Sequence, residues 1–406
     1  MLTVKTPDEV FAVMKEAFPA RSESETVPLS AALGRILYSG VESVEYVPGF
    51  HRSTVDGYAV RASDTFGCSE SIPALLEVQG QVAMGEAAGE MPQSGCCVYV
   101  PTGGALPEGC DAVVMIEYTE DYGDGTIGIT KPAAPGENII YKGDDVYPGK
   151  QVLPAGKLIG AQDIGALAAM GIMEVKVSRR LSVAIISTGD ELVDASSVPG
   201  EGQIRDLNSP MLAALVDQTG CEPRCFGIIP DDEDMLRAAV EKACKECDVV
   251  LVSGGSSVGA KDATGKVIAY MGDILFHGIA MKPGKPTILG KIADKPVWGL
   301  PGHPAAAFFV GHIFVRPLLA QLMGREVRNY TMPARLTEPV SANHGRAQYN
   351  GAHLVFREGE WYAEPVRGKS GLITTLADSE GYFCIPRDKE GAAAGEIVRV
   401  TLYSID

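Results

Sequence analysis

Residues 248–262 read Asp248-Val-Val-Leu-Val-Ser-Gly-Gly-Ser-Ser-Val-Gly-Ala-Lys-Asp262, and the fold turns on them. The stretch opens as a short apolar, β-branched run, the pattern of a buried parallel strand. It then breaks into a loop of glycine and serine. Gly254, Gly255 and Gly259 free the backbone for a close approach by a ligand. Successive N–H groups in such a loop make a concave anion site. Lys261 adds positive charge, and Asp262 adds a carboxylate suited to a metal. The layout suits a phosphorylated small molecule with a divalent cation, although strand-to-helix turns also carry Gly-Gly for structural reasons alone.

The same texture repeats on either side. A buried strand from Leu181 ends in Thr188-Gly-Asp-Glu191. Asn208-Ser209-Pro210 starts a helix, with Ser209 as its cap and Pro210 in its first turn. Arg224 to Ile229 is a strand, and Asp231 is placed to cap the helix 232–244. Strands near Ile274 and Ile288, then Lys295 to Pro304, lead to a helix beginning near Ala305. Alternating strands and helices predict a doubly wound α/β domain. Ligands of such a domain lie beyond the carboxyl ends of its strands. The loops 188–191, 253–262 and 301–304 all fall there.

The flanking segments differ. Residues 3–18 pattern as an amphipathic helix with Thr6 as N-cap and Pro7 at its first position. A short helix is expected from Ser30, and another from Gln162 to Met170, stopped by Gly171. Residues 76–129 read as short strands between glycine and proline turns, entered through the turn dipeptide Asp56-Gly57. After Gly324 the chain turns β again, predicting a small C-terminal barrel or sandwich.

Composition narrows the class. The chain has 406 residues, 46% hydrophobic and 21% charged, enough for several ordinary globular cores. Its formal charge of −17 argues against general nucleic-acid binding. An anionic ligand therefore needs a locally basic pocket. The start lacks a leader pattern, and the apolar stretch Phe308 to Leu319 is broken by His312, Arg316 and Pro317. A cytoplasmic protein without a membrane segment is expected. The nine cysteines fit reduced thiols better than a disulfide framework. Cys221, Cys225, Cys244 and Cys247 have spacings that zinc could use, but plain thiols suit their strand and helix positions better.

Several groups can carry chemistry. Glu191, Asp231 and Asp262 follow strands, where carboxylates can share Mg²⁺ with a phosphate. Lys282-Pro-Gly-Lys285-Pro286 sets two cations on a stiff turn, a clamp for an oxyanion. Pro301-Gly-His-Pro304 precedes a helix whose N-terminus attracts anions. Outside this unit lie Asp56 with Ser53 and Thr54, then Thr102, and later Arg346, Arg367, Lys369 and Ser370.

The ordered stretches carry a resemblance. Ser53-Thr-Val-Asp-Gly-Tyr-Ala-Val-Arg61, Pro101-Thr-Gly-Gly-Ala-Leu-Pro-Glu-Gly109, Gly136-Glu-Asn-Ile, Ser187-Thr-Gly-Asp-Glu-Leu192, Ser253-Gly-Gly-Ser-Ser-Val-Gly259, Lys282-Pro-Gly-Lys-Pro286 and Leu300-Pro-Gly-His-Pro304 stand in sequence over nearly the whole chain. The chain resembles the MoeA family of molybdopterin molybdotransferases, which includes the E-domain of gephyrin. The resemblance implies a segmented domain I (1–47 and 142–178), an inserted β domain II (48–141), an α/β molybdopterin-binding domain III (179–326) and a C-terminal β-barrel domain IV (327–406). It implies a homodimer whose cleft joins domains III and IV of one subunit to domain II of its partner.

The implied reaction inserts molybdate into adenylylated molybdopterin with release of AMP, helped by Mg²⁺. Asp56, Thr102, Asp145, Glu191 and Asp262 match the family's catalytic cleft positions. Glu191, Asp231 and Asp262 match positions tied to metal. Thr188, Ser253, Gly254, Gly255, Ser257, Gly259, Pro301 and Pro304 match substrate contacts, and Lys282, Lys285, Arg346 and Ser370 match molybdate contacts. Molybdoenzymes or other proteins of the cofactor pathway are the implied partners. The chain departs from the family in three places. His303 stands where Asn is frequent, Ala305-Ala306 where Val-Ser is common, and Ser256 where Val is usual. The first two border the oxyanion position and bear on molybdate against tungstate, so a tungstate-preferring version of the same enzyme is one alternative. A molybdopterin adenylyltransferase and a non-catalytic molybdopterin-binding scaffold are the others. The multidomain organisation disfavours the adenylyltransferase, and carboxylates in a cleft disfavour the scaffold.

Overall fold

The computed structural model describes residues 4–21, 23–90, 93–254, 263–368 and 373–404. The chain divides into two compact units. One comprises Met1–Glu25, Gly34–Tyr38 and Lys176–Asp406, and the other Thr26–Leu33 and Ser39–Val175.

The first unit is built on a six-stranded sheet. Ser182–Thr188 is buried along its whole length and pairs in parallel with Glu222–Ile229 on one side and Val249–Ser253 on the other. Val249–Ser253 pairs in parallel with Lys295–Leu300. Ile288–Ile292 and Asp273–His277 complete the sheet in antiparallel fashion. The doubly wound pattern thus holds for four strands. It ends where Ile292 turns to Lys295 through Ala293 and Asp294, both at positive φ, a connection too short for a parallel crossover.

Side-chain alternation builds two cores. Val183, Ile185, Leu251 and Trp298 face one; Ala184, Ile186, Val250, Val252 and Val297 face the other. Helix Asn208–Gln218 covers the first face with Leu212 and Val216, and the helical run from Pro304 adds Phe309 and Phe314. Helices Glu233–Glu246 and Ala263–Met271 cover the second. A parallel sheet needs this two-sided cover. Pro304–Leu322 is the one described helix long and apolar enough to cross a membrane, and 78% of it is buried inside the fold. Its apolarity is that of a core helix.

Three local expectations change. The N-terminal helix runs Pro7–Ala17, starting later than expected, and is held by a capping box between Thr6 and Glu9. Asp232, not Asp231, caps Glu233–Glu246 by accepting the Met235 N–H at 2.9 Å. Asp206, not Ser209, accepts the Ser209 N–H at the start of Asn208–Gln218, at 3.1 Å. Asp232 is the residue that stays extended, so it takes the cap and leaves the Asp231 side chain for another use.

The C-terminal β segment is a closed barrel rather than a sandwich. Ala347–Arg357, Glu360–Pro365, Thr331–Leu336, Ile397–Leu402 and Gly381–Ile385 pair in that order, and the last returns to the first. Met281–Lys282 of the α/β region lies parallel against Ala347–Gln348 of the barrel.

The second unit holds another six-stranded sheet, ordered Ala112–Met115, Gly57–Val60, Cys96–Val100, Ala74–Gln81, Thr126–Ile129 and Thr119–Asp121. Val60, Leu76, Cys97, Val114 and Ile127 form its core. The helix expected near Gln162 spans Ala161–Ala169. The one expected from Ser30 is a single 3₁₀ turn, Leu29–Ala31.

Candidate functional site

Four loops leave the carboxyl ends of the parallel strands. Thr188 ends the central strand, and its hydroxyl donates to Asp231 Oδ1 at 3.0 Å. The Asp231 N–H donates to Asp190 Oδ1 at 3.1 Å. Asp231 therefore stands beside the central strand with a carboxylate that no helix claims. Glu191 folds back over Gly189, so a Cβ on that glycine would meet its Oε2 at 2.8 Å.

The opening loop begins under tight constraint. Gly254 takes φ +101°, and a Cβ there would lie 2.2 Å from the Thr188 carbonyl oxygen. Only glycine brings these two strand ends so close. Asn208 ties the arrangement together. Its Nδ2 donates to Ser253 Oγ and to the Gly302 carbonyl, both at 2.8 Å. Sequence reasoning missed Asn208 because Ser209 was expected to be the helix cap. The signal lay in Asp206, whose capping role leaves Asn208 free.

Beside these loops opens a pocket of about 870 Å³. Lys282, Lys285 and Arg346 line it, with Pro301 and His303 from the loop after Lys295–Leu300. Among the described residues, none of the three cations makes an ion pair or side-chain hydrogen bond, and no carboxylate lines the wall. In a chain of net charge −17, this is a local reversal of sign. The Met281–Lys282 pairing with Ala347–Gln348 creates it, by carrying a lysine of the α/β region to the barrel strand that follows Arg346. Phe309 and Tyr349 supply aromatic wall, and burial raises the Tyr349 phenol well above its usual range, so it stays neutral. Ala305 and Ala306 present only methyl groups to the pocket, where serine would add a hydroxyl. Pro304 is the first residue of the following helix and is buried.

The second unit holds the other expected positions. Asp56 Oδ1 accepts the Thr102 N–H at 2.8 Å, so these two residues are in contact despite their separation in sequence. Gly57 is a strand residue rather than a turn residue. A Cβ there would lie 2.0 Å from the Val114 carbonyl oxygen. No hydrogen bond links Asp145 to either of them among the described residues. The Asp145 N–H donates to the Val47 carbonyl at 3.2 Å, beside the isolated bridge of Val47 with Val146.

Gly255, Ser257, Gly259, Lys261, Asp262, Lys369 and Ser370 lie outside the described residues. Arg367 is spoken for: it pairs with Glu338 at 2.7 Å. No three His, Cys, Asp or Glu side chains converge on a metal position among the described residues, and all nine cysteines are free thiols. Cys221 Sγ lies 3.8 Å from the Met323 sulfur, buried away from a zinc arrangement. For Mg²⁺, Asp231 and Glu191 offer the hard oxygen donors it prefers, in loops where a phosphate can complete the shell.

The chain matches three family models in order. These are the MoeA N-terminal region (domain I and II) over residues 5–171, the "Probable molybdopterin binding domain" over residues 184–321, and the MoeA C-terminal region (domain IV) over residues 333–403. It is 33% identical over 405 residues to the molybdopterin molybdenumtransferase of Haemophilus influenzae, covering 98% of each chain. It is 32% identical over 410 residues to that of Bacillus subtilis, covering 99% of this chain and 95% of the relative. Among solved structures it is similar to the molybdopterin biosynthesis MoeA protein of Pyrococcus horikoshii. The TM-score is 0.88 at 34% identity, over 99% of this chain and 100% of that one.

Proposed function

We propose, from the premise that this chain belongs to the MoeA family, that it is a molybdopterin molybdenumtransferase, an enzyme that places molybdenum on molybdopterin in cofactor biosynthesis. We infer that the substrates are molybdate and adenylylated molybdopterin and that AMP is released. The pocket of Lys282, Lys285 and Arg346, which has no carboxylate among its described lining residues, carries this reading. Molybdate is a tetrahedral dianion with only acceptor oxygens, so it calls for fixed cationic donors without competing carboxylates. The adjoining strand-end loops at Thr188, Ser253 and Gly254 suit a phosphate, because backbone N–H groups at such ends are anion sites.

Each residue has a definite task in this reading. Lys282, Lys285 and Arg346, with Ser370, bind and orient the oxyanion. Ser253 and Gly254 lead into the loop that receives the pterin phosphate. Pro301 and Pro304 stiffen the wall between the two ligands. Mg²⁺, held by Asp231 and Glu191 with Asp262, would neutralise charge on the phosphoanhydride. Asp56 and Thr102, with Asp145, are the catalytic cleft positions we assign to a partner subunit in a homodimer. Their support is the family match and the Asp56–Thr102 contact. The division into domains I to IV at the limits above belongs to the same reading. Nine free thiols support a reducing, cytoplasmic compartment.

The test incubates the purified protein with adenylylated molybdopterin and Mg²⁺ and follows AMP with and without molybdate. Molybdate-dependent AMP release is expected. AMP release indifferent to molybdate would sink the proposal, and formation of adenylylated molybdopterin from ATP would assign the adenylyltransferase reaction instead.

A further inference from the structure

Asn208 is the first residue of an 11-residue helix, and only 7% of it is exposed. Its side chain does not cap that helix, since Asp206 does. One amide nitrogen instead donates to two different loops: to Ser253 Oγ, where the opening loop begins, and to the Gly302 carbonyl, in the turn between Pro301 and His303 that walls the cationic pocket. The two loops also touch directly. The Gly254 N–H donates to the Leu300 carbonyl at 3.2 Å, and a Cβ on Gly302 would lie 3.8 Å from the Gly254 Cα. The other amide atom, Asn208 Oδ1, is buried without a hydrogen-bond partner among the described residues. An unsatisfied buried acceptor costs about 1–3 kcal/mol. A purely structural position would favour a residue without that cost, whereas functional positions tolerate it. Both bonds to the loops come from the Nδ2 amino group, so an aspartate of the same shape loses the one to the Gly302 carbonyl, sets two acceptors against each other there and breaks the link between the loops, whichever way the Ser253 hydroxyl turns.

We propose that Asn208 is the positioning residue that couples the two ligand sites. It holds the Ser253–Gly254 edge of the phosphate loop in register with the Pro301–His303 wall of the oxyanion pocket. Occupation of one site by molybdopterin then sets the wall of the other for molybdate, and the reverse holds with the same factor, as linkage requires. The inference rests on the molybdenumtransferase reading, which assigns a ligand to each loop.

The experiment measures molybdate binding to the full-length protein by calorimetry, with and without metal-free molybdopterin bound, for wild type, Asn208→Ala, Asn208→Asp and Ser253→Ala. Prebound molybdopterin is expected to tighten molybdate binding about fivefold or more in the wild type. Asn208→Ala and Asn208→Asp should lose that tightening and weaken molybdate binding about tenfold, whereas Ser253→Ala, which removes one end of the link, should lose the tightening but leave molybdate binding in the absence of molybdopterin unchanged. Asn208→Asp keeps the side-chain shape and serves if the alanine variant does not fold. Lowered melting temperatures with molybdate affinity and coupling intact would show Asn208 to be merely structural and overturn the proposal. A wild type that binds both ligands without coupling also overturns it. A wild type that binds neither overturns the functional reading instead.

Discussion

Lys282 lies opposite Gln348 in a parallel strand pair that joins the α/β region to the barrel. Two residues before Gln348 stands Arg346, so the pairing sets a lysine and an arginine from distant parts of the chain on one pocket wall. Neither has an acidic partner among the described residues. Their charges are held ready for a ligand that is itself anionic.

Removing either cation should weaken molybdate more than it harms the fold. Charge-assisted hydrogen bonds contribute about 1.5–3 kcal/mol, so Lys282→Ala and Arg346→Ala should each weaken molybdate binding roughly tenfold to a hundredfold. Calorimetric titration with molybdate checks this, with melting temperature as control. An unchanged molybdate Kd in both variants would remove the pocket from the mechanism.

Gly254→Ala should fail for two reasons at once. The new Cβ would fall 2.2 Å from the Thr188 carbonyl oxygen, and φ is +101°. A strained φ alone costs about 1–3 kcal/mol, and the overlap adds to it. Urea unfolding of wild type and variant measures the difference. A loss below about 1 kcal/mol would mean that the two strand ends part easily.

Neighbouring aspartates should separate stability from activity. Asp232→Ala removes a helix cap and should cost about 1 kcal/mol while AMP release continues. Asp231→Asn should leave the melting temperature nearly unchanged and depress AMP release strongly. If the two variants exchange these phenotypes, the assignment of cap and site is reversed.

Acid should destabilise the protein through His312. Burial, with Arg316 alongside, lowers its pKa to about 4. The folded protein keeps this imidazole neutral, while the unfolded chain takes up a proton below about 6.5. Stability therefore falls as pH drops from about 6.5 toward about 4, and His312 adds no further loss below that. His312→Gln should flatten this part of a melting-temperature profile between pH 7 and 4.5. Parallel profiles for variant and wild type would locate the acid sensitivity elsewhere.

The strand-and-loop order was legible because it is local. Apolar runs such as 183–186 mark strands buried on both faces, and Thr6 with Pro7 marks a helix start. Caps were less legible. Asp231 and Asp232 are chemically equal, and only the backbone path chooses the extended one. The antiparallel end of the sheet escaped notice because Ala293 and Asp294 take positive φ without a glycine to signal it. Asn208 escaped because its two partners come from loops far along the chain.

The sequence by itself determined the elements, the alternation that makes the α/β sheet, the glycines at the strand ends and the ordered motifs of the family. These depend on interactions between near neighbours in the chain. Only the tertiary structure decided which polar groups meet. It brought Lys282 to Arg346, Thr188 to Asp231, Asp56 to Thr102 and Asn208 to both loops. It gave Arg367 to Glu338. Hydrogen bonds and ion pairs reach only about 3–4 Å, and which side chains come within that reach is set by packing of the cores rather than by spacing in the sequence.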